Sequence, residues 1–208
     1  MDWTSNALLS TALALSQSCA HAKPGGRTLP PLLFLTDPDR TPKPWETVER
    51  LPAGAGVVFR GFGRPDATAV GRRLAETARR RGLIFLVGAD AELGETLEVD
   101  GVHLPERAIE RAVALRVEHP HWRITTAAHS AEALERAARA GADAALLSPV
   151  FPSRSPSAGA PLGAARFGEL VRAARLPVYA LGGVSETTAP ALISSGACGV
   201  AAVEALLA

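Results

Sequence analysis

From residue 31 onward, short apolar runs alternate with longer polar stretches made of helix-forming residues. The runs lie at 32–35, 56–59, 83–87, 101–104, 123–126, 144–147, 178–181 and 199–203. They are apolar throughout rather than at every second position, which marks strands buried on both faces. Between them, segments rich in Ala, Leu, Glu and Arg at 67–81, 108–118, 131–140, 165–174 and 187–194 carry a helical pattern. Strands alternating with helices imply a parallel sheet with crossover connections. Eight such units suit a closed (β/α)8 barrel, smaller than usual, better than an open sheet. The second and third connections carry the pattern less cleanly. Helix punctuation agrees, with Ser130 and Ser185 at expected N-caps and Gly82, Gly141 and Gly196 at expected stops.

Ahead of the first run, residues 7–16 (ALLSTALALS) have the look of a signal-peptide core. Asp2 stands where a basic n-region would be needed, and the segment is too short to span a bilayer. An amphipathic helix ending at Lys23-Pro24-Gly25-Gly26 is the better expectation. This divides the chain into an N-terminal helical extension (1–26) and one barrel domain (27–208), with no low-complexity linker inside it.

Apolar residues make up 47% and charged residues 21%, so the chain has ample material for a core. A net charge of +1 offers no footprint for nucleic acid or an acidic membrane surface. The cluster Arg79-Arg80-Arg81 reads as a solvated helix end, since cations favour a helix C-terminus. Cys19 and Cys198 are far apart in sequence and outside any metal-ligand spacing, and are expected as free thiols in a reducing, cytoplasmic setting. A homo-oligomer is compatible with all of this.

In such a barrel the reactive side chains come from the C-terminal ends of the strands and the loops after them. That rule selects Asp37, Arg60, Glu92, His103, His129, residues 148–155 and Gly182-Gly183. Gly182-Gly183 follows the seventh run and opens toward a helix start, where backbone N–H groups can meet a phosphate. A tight turn is the competing reading. The stretch 148–159 lacks helical period, is rich in hydroxyls and carries one cation. It reads as a lid or anion loop in which Ser153, Arg154 and Ser155 meet an oxyanion. His103 and His129 each end a strand, so one of them is a candidate acid/base while structural hydrogen bonding accounts for the other. Arg60 is either a ligand clamp or half of an internal salt bridge.

These residues fall in blocks that resemble a known family, thiamine phosphate synthase and its paralogue, the thiazole tautomerase. The blocks are Leu33-Phe34-Leu35-Thr36-Asp37, Val99-Asp100-Gly101-Val102-His103-Leu104, Ala128-His129-Ser130, Ser148-Pro149-Val150-Phe151-Pro152, Pro161-Leu162-Gly163, Ala180-Leu181-Gly182-Gly183-Val184 and Gly196-Ala197-Cys198-Gly199. The resemblance implies a (β/α)8 fold, a thiazole phosphate ligand with Gly182 and Gly183 at its phosphate, and, for the synthase, an aminopyrimidine diphosphate held with Mg²⁺. It also exposes departures. Of the synthase's Gln-x-Arg-Glu-Lys only Arg60 remains, Glu92 stands for a Mg²⁺ aspartate, Ala108 for a second one, Pro156 for a lysine, and Glu204 for a small hydroxyl residue near the phosphate. The losses gather on the diphosphate and metal side.

Three readings follow. The leading one is a diverged thiazole tautomerase with His129 as acid/base, Arg60, His103, Ser153, Arg154, Ser155, Gly182 and Gly183 as substrate contacts, and no cofactor. The alternative is a true synthase using Mg²⁺ on Glu92. The third is a barrel that binds a phosphorylated heterocycle without turnover. In every case the partner is a small phosphorylated heterocycle, with no nucleic acid and no membrane.

Overall fold

The structure, a computed structural model, describes residues 6–21, 27–155 and 159–207. Eight parallel strands close in sequence order: β1 (Leu32–Leu35), β2 (Gly56–Phe59), β3 (Ile84–Gly88), β4 (Gly101–Leu104), β5 (Arg123–Ala128), β6 (Ala144–Leu147), β7 (Val178–Ala180) and β8 (Gly199–Ala202). β8 returns to pair with β1, Leu33 opposite Ala201, which leaves no sheet edge.

The apolar runs are explained by two cores. Alternate residues point into the barrel, where Leu33, Leu35, Val58, Leu86, Leu146 and Tyr179 form one cluster. The intervening residues, such as Phe34, Val57, Val87 and Leu147, face the helices. Tyr179 is fully buried, and its hydroxyl donates to the Pro30 carbonyl (2.6 Å). Gly199 leaves the space its ring needs, since a Cβ there would come within 2.7 Å of Tyr179 Cε1.

The outer layer holds α1 (Ala7–Gln17), α2 (Pro44–Arg50), α3 (Ala67–Arg81), α4 (Ala91–Leu97), α5 (Arg111–Glu118), α6 (Ala131–Arg139) and α7 (Gly163–Ala173). α3 buries Leu74, Ala75 and Ala78 on one face, and Gly82 stops it in a left-handed conformation (φ 64°) after three arginines. Ser130 caps α6, its hydroxyl accepting from the Ala133 N–H (3.1 Å). α2 and α4 are seven residues each, too short for a helical period to stand out in the sequence. Two expected helices change form. The one at 108–118 is divided into a 3₁₀ turn (Glu106–Ala108) and α5, and the one at 187–194 shrinks to a 3₁₀ turn (Ala189–Leu192). In the latter, Ser185 begins a hydroxyl turn, its N–H donating to Thr188 Oγ1 (2.9 Å), in place of a helix cap.

α1 buries Leu8, Thr11, Ala12 and Leu15, as an amphipathic helix should. It packs on β8, β1 and the turn at Ala189–Leu192, on the flank where a helix following β8 would lie. The expected break at 23–26 is outside the described residues. Just after α1, Cys19 is joined to Cys198 in a disulfide, with Cα atoms 4.4 Å apart. This corrects the expectation of two free thiols: 179 residues separate them along the chain, but the docking of α1 beside the start of β8 brings them together.

Candidate functional site

The C-terminal ends of the strands open into one cleft of about 1400 Å³. Arg60, Glu92, His103, His129, Ser153, Arg154, Ser155, Gly182 and Gly183 line it; Asp37, also selected by the strand-end rule, does not, and meets Arg60 behind the cleft wall instead.

Gly182 and Gly183 owe their identity to packing. Both have left-handed φ (89° and 64°), and a Cβ on Gly182 would sit 2.8 Å from Pro149 Cα. The loop after β6 lies against them, with the Phe151 N–H donating to the Gly182 carbonyl (3.0 Å) and the Val150 N–H to that of Leu181 (2.9 Å). With these carbonyls engaged by the loop, the N–H groups of Gly182 and Gly183 have no acceptor among the described residues. That arrangement suits an anion.

A chain of charges runs along the adjoining wall. Arg154 Nη2 lies 2.8 Å from Glu204 Oε1, and Glu204 Oε2 lies 3.9 Å from Arg40 Nη1. Arg40 in turn bonds Asp37 (2.8 Å), which also meets Arg60 (3.4 Å). Arg60 is therefore half of an internal ion pair that also faces the cleft, and its Nε donates to the Thr36 carbonyl (2.6 Å). Burial and the nearby Arg40 bring the Arg60 pKa down to about 10, against the pull of Asp37. Burial alone would raise Asp37, but the hydrogen bonds and charges of Arg40 and Arg60 hold its carboxyl below the usual value. Glu204, which stands where the resemblance places a small hydroxyl residue, is paired chiefly with Arg154.

The two histidines differ. His103 is buried in the barrel at the cleft floor, with Nδ1 3.0 Å from Thr125 Oγ1. Burial, then Arg60, press its pKa to about 3, so it meets a ligand as a neutral imidazole and offers no cation to a phosphate. His129 is exposed at the rim, its Nδ1 2.7 Å from Glu106 Oε2, which also accepts the His129 backbone N–H (2.8 Å). That carboxylate orients the ring, as second groups orient catalytic imidazoles.

Glu92 stands in the first turn of α4 with Asp90 just before it; Asp90 Oδ1 is used on the Leu93 N–H (2.9 Å). Among the described residues no three His, Cys, Asp or Glu side chains gather as a metal site. Pro156, where the resemblance places a lysine, is outside the described residues.

Residues 36–206 match the family model described as thiamine monophosphate synthase. The chain belongs to that family. The match covers most of the barrel and places this family member among enzymes of thiamine biosynthesis. Among its relatives, the thiamine-phosphate synthase of Chlorobium luteolum is 32% identical over 85% of each chain. The putative thiamine-phosphate synthase 2 of Aquifex aeolicus is 33% identical over 60% of this chain and 66% of its own. A thiamine phosphate pyrophosphorylase from Pyrococcus furiosus superposes with TM-score 0.70 at 23% identity, covering 83% of this chain and 84% of its own, a likeness of fold. Among the described residues no helix is long and apolar enough to cross a membrane.

Several cleft residues of this thiamine monophosphate synthase family member escaped the sequence reading. Phe62 is 66% exposed, holds a left-handed φ of 47°, and lies under the Arg60 guanidinium (5.3 Å to the ring centroid). Strained non-glycine backbone gathers at functional sites, and the other such residue at the cleft is Ala89 (φ 65°). Arg64, Arg107 and Arg111 also face the opening. Their only signal was position just after a strand-end loop, which in the sequence looks like any solvated charge.

Proposed function

We propose that the chain is a transferase of the thiamine phosphate synthase type. It would join an aminopyrimidine-methyl diphosphate to a thiazole phosphate and release diphosphate. The relatives' names favour this over the tautomerase, and one observation carries it: a single cleft with two anion-receptive ends on opposite sides of the barrel. One end is the Gly182-Gly183 N–H pair after β7, and the other is the arginine group after β2 and β4, Arg64, Arg107 and Arg111. At about 1400 Å³ the cleft exceeds the usual space for one small ligand (~300–1,000 Å³) and fits two.

In this reading the thiazole phosphate sits at Gly182 and Gly183 with the Ser153–Ser155 loop over it. Phe62 offers an aromatic face to the pyrimidine. The thiazole nitrogen attacks the pyrimidine methylene carbon as that carbon's bond to the diphosphate oxygen breaks, the electrons leaving with the oxygen. The cleft's contribution is alignment and charge stabilisation. Glu92 with Asp90 makes too few free carboxylates for a protein-built Mg²⁺ centre, so no step is assigned to a metal. The thiamine-biosynthetic reading carries a cytoplasmic location with it.

One observation favours a second reading. The His129–Glu106 contact supplies an oriented base at the rim, which a thiazole tautomerase would need and the coupling reaction would not. A proton NMR time course with the thiazole phosphate tautomers, with and without the pyrimidine diphosphate, separates the two. Thiamine phosphate appearing only with both substrates supports the transferase. Tautomer conversion without the pyrimidine, lost in His129→Ala, replaces it with the isomerase, and no turnover in any mixture sinks both.

A further inference from the structure

The resemblance implies a Mg²⁺ carboxylate shortly after β4, but this chain has Ala108 there, preceded by Arg107 and followed by Arg111 at the start of α5. Both arginines are exposed and face the cleft. Among the described residues Arg107 has no acidic partner, and the one hydrogen bond of Arg111 goes to the Ala89 carbonyl (3.5 Å). Ala89 is the residue held at φ 65°, its own N–H donating to the His103 carbonyl (2.9 Å). A strained residue at the end of β3 thus presents its carbonyl to the Arg111 side chain at the cleft edge.

Two carboxylates share this rim. Asp90 has one oxygen engaged by its helix cap, and Glu92 is exposed. Arg64 adds a third cation, itself paired to Asp66 (3.3 Å). Two guanidinium groups without an acidic partner among the described residues repel a divalent cation and attract a polyanion. Their planar forks also match phosphate oxygens in pairs, which an ammonium does not do.

We propose that Arg107 and Arg111 bind the diphosphate group directly, as a metal-independent anion site between β3 and β4. The proposal rests on the transferase reading and names how its second substrate is held. When the carbon–oxygen bond breaks, the electron pair stays on the diphosphate, and the two guanidinium groups carry the charge stabilisation a metal would otherwise supply.

Calorimetric titration of the intact protein with inorganic pyrophosphate, in EDTA and again in Mg²⁺, tests it. Binding should persist in EDTA, and Arg107→Ala and Arg111→Ala should each weaken it about tenfold, in line with one lost charge-assisted contact. Melting temperatures should stay put, because both side chains are exposed. Binding that requires Mg²⁺, or that the double substitution leaves unchanged, overturns the proposal. The two ideas fail separately. Pyrophosphate bound through the arginines without any coupling by NMR keeps the anion site and removes the transferase. Coupling that needs Mg²⁺ and is indifferent to the double substitution does the reverse.

Discussion

His103 faces Thr125 across the β4–β5 pairing, inside the barrel, and is neutral there because burial leaves no water to solvate its charge. A free histidine titrates near 6.5, and this one near 3 in the folded chain. Between those values the unfolded chain holds a proton that the folded chain lacks, so acid favours unfolding. The His103 contribution is complete above about pH 6.5 and lost as pH falls toward 3, at ~1.4 kcal/mol per pH unit. Urea titrations between pH 7 and 5 should show this slope in the wild type and a shallower one in His103→Gln. Thr126, on the helix-facing side of β5, carries a buried hydroxyl with no partner among the described residues. Thr126→Val should therefore raise stability, by about 1 kcal/mol, read from the same titrations. Glu204 competes with any phosphate for Arg154, so Glu204→Gln should tighten inorganic phosphate binding about fivefold, a modest effect because Arg154 is well exposed.

At the scale of elements, the disulfide ties α1 to the start of β8 and closes most of the chain into a loop. Such a link restricts the unfolded ensemble, typically by ~2–4 kcal/mol. Cys198→Ser should lower stability by about that much, and reduction of the wild type should match it while a thiol titration rises from zero to two. The β7–α7 side of the cleft depends on another close contact. A Cβ on Gly183 would press on Phe151 (2.8 Å) and on the Pro152 carbonyl. Gly183→Ala should displace the loop after β6, abolish phosphate binding and also lower the melting temperature, since Val150 of this loop is buried in the helix-facing core and Phe151 packs against it. Serine and proline made that loop visible in the sequence. Its docking against two glycines was not visible, because the partners come from different strands.

For the whole molecule, the distribution of charge matters more than its sum. Among the described residues six arginines line the cleft against three carboxylates, in a chain whose net charge is only +1. The rest of the surface is therefore slightly acidic, and the cleft is a positive focus. Anion binding should weaken several-fold as salt rises, because the Debye length shrinks toward the size of a single contact.

The local pattern of the chain determined the eight strands, nearly to the residue, the amphipathic α1 and the long α3. Each of these follows from which neighbouring residues are apolar, and the closed barrel follows from their alternation. The strand-end rule likewise pointed to one end of the barrel, where all the candidates but Asp37 line the cleft. Partnership was left to the tertiary structure. Whether Arg60 clamps a ligand or pairs with Asp37, whether Glu204 repels or is neutralised, whether Cys19 meets Cys198, and which histidine is buried all depend on distances between elements far apart in sequence. Those distances are set by barrel closure and by the docking of α1, and a one-dimensional pattern of polar and apolar residues does not contain them.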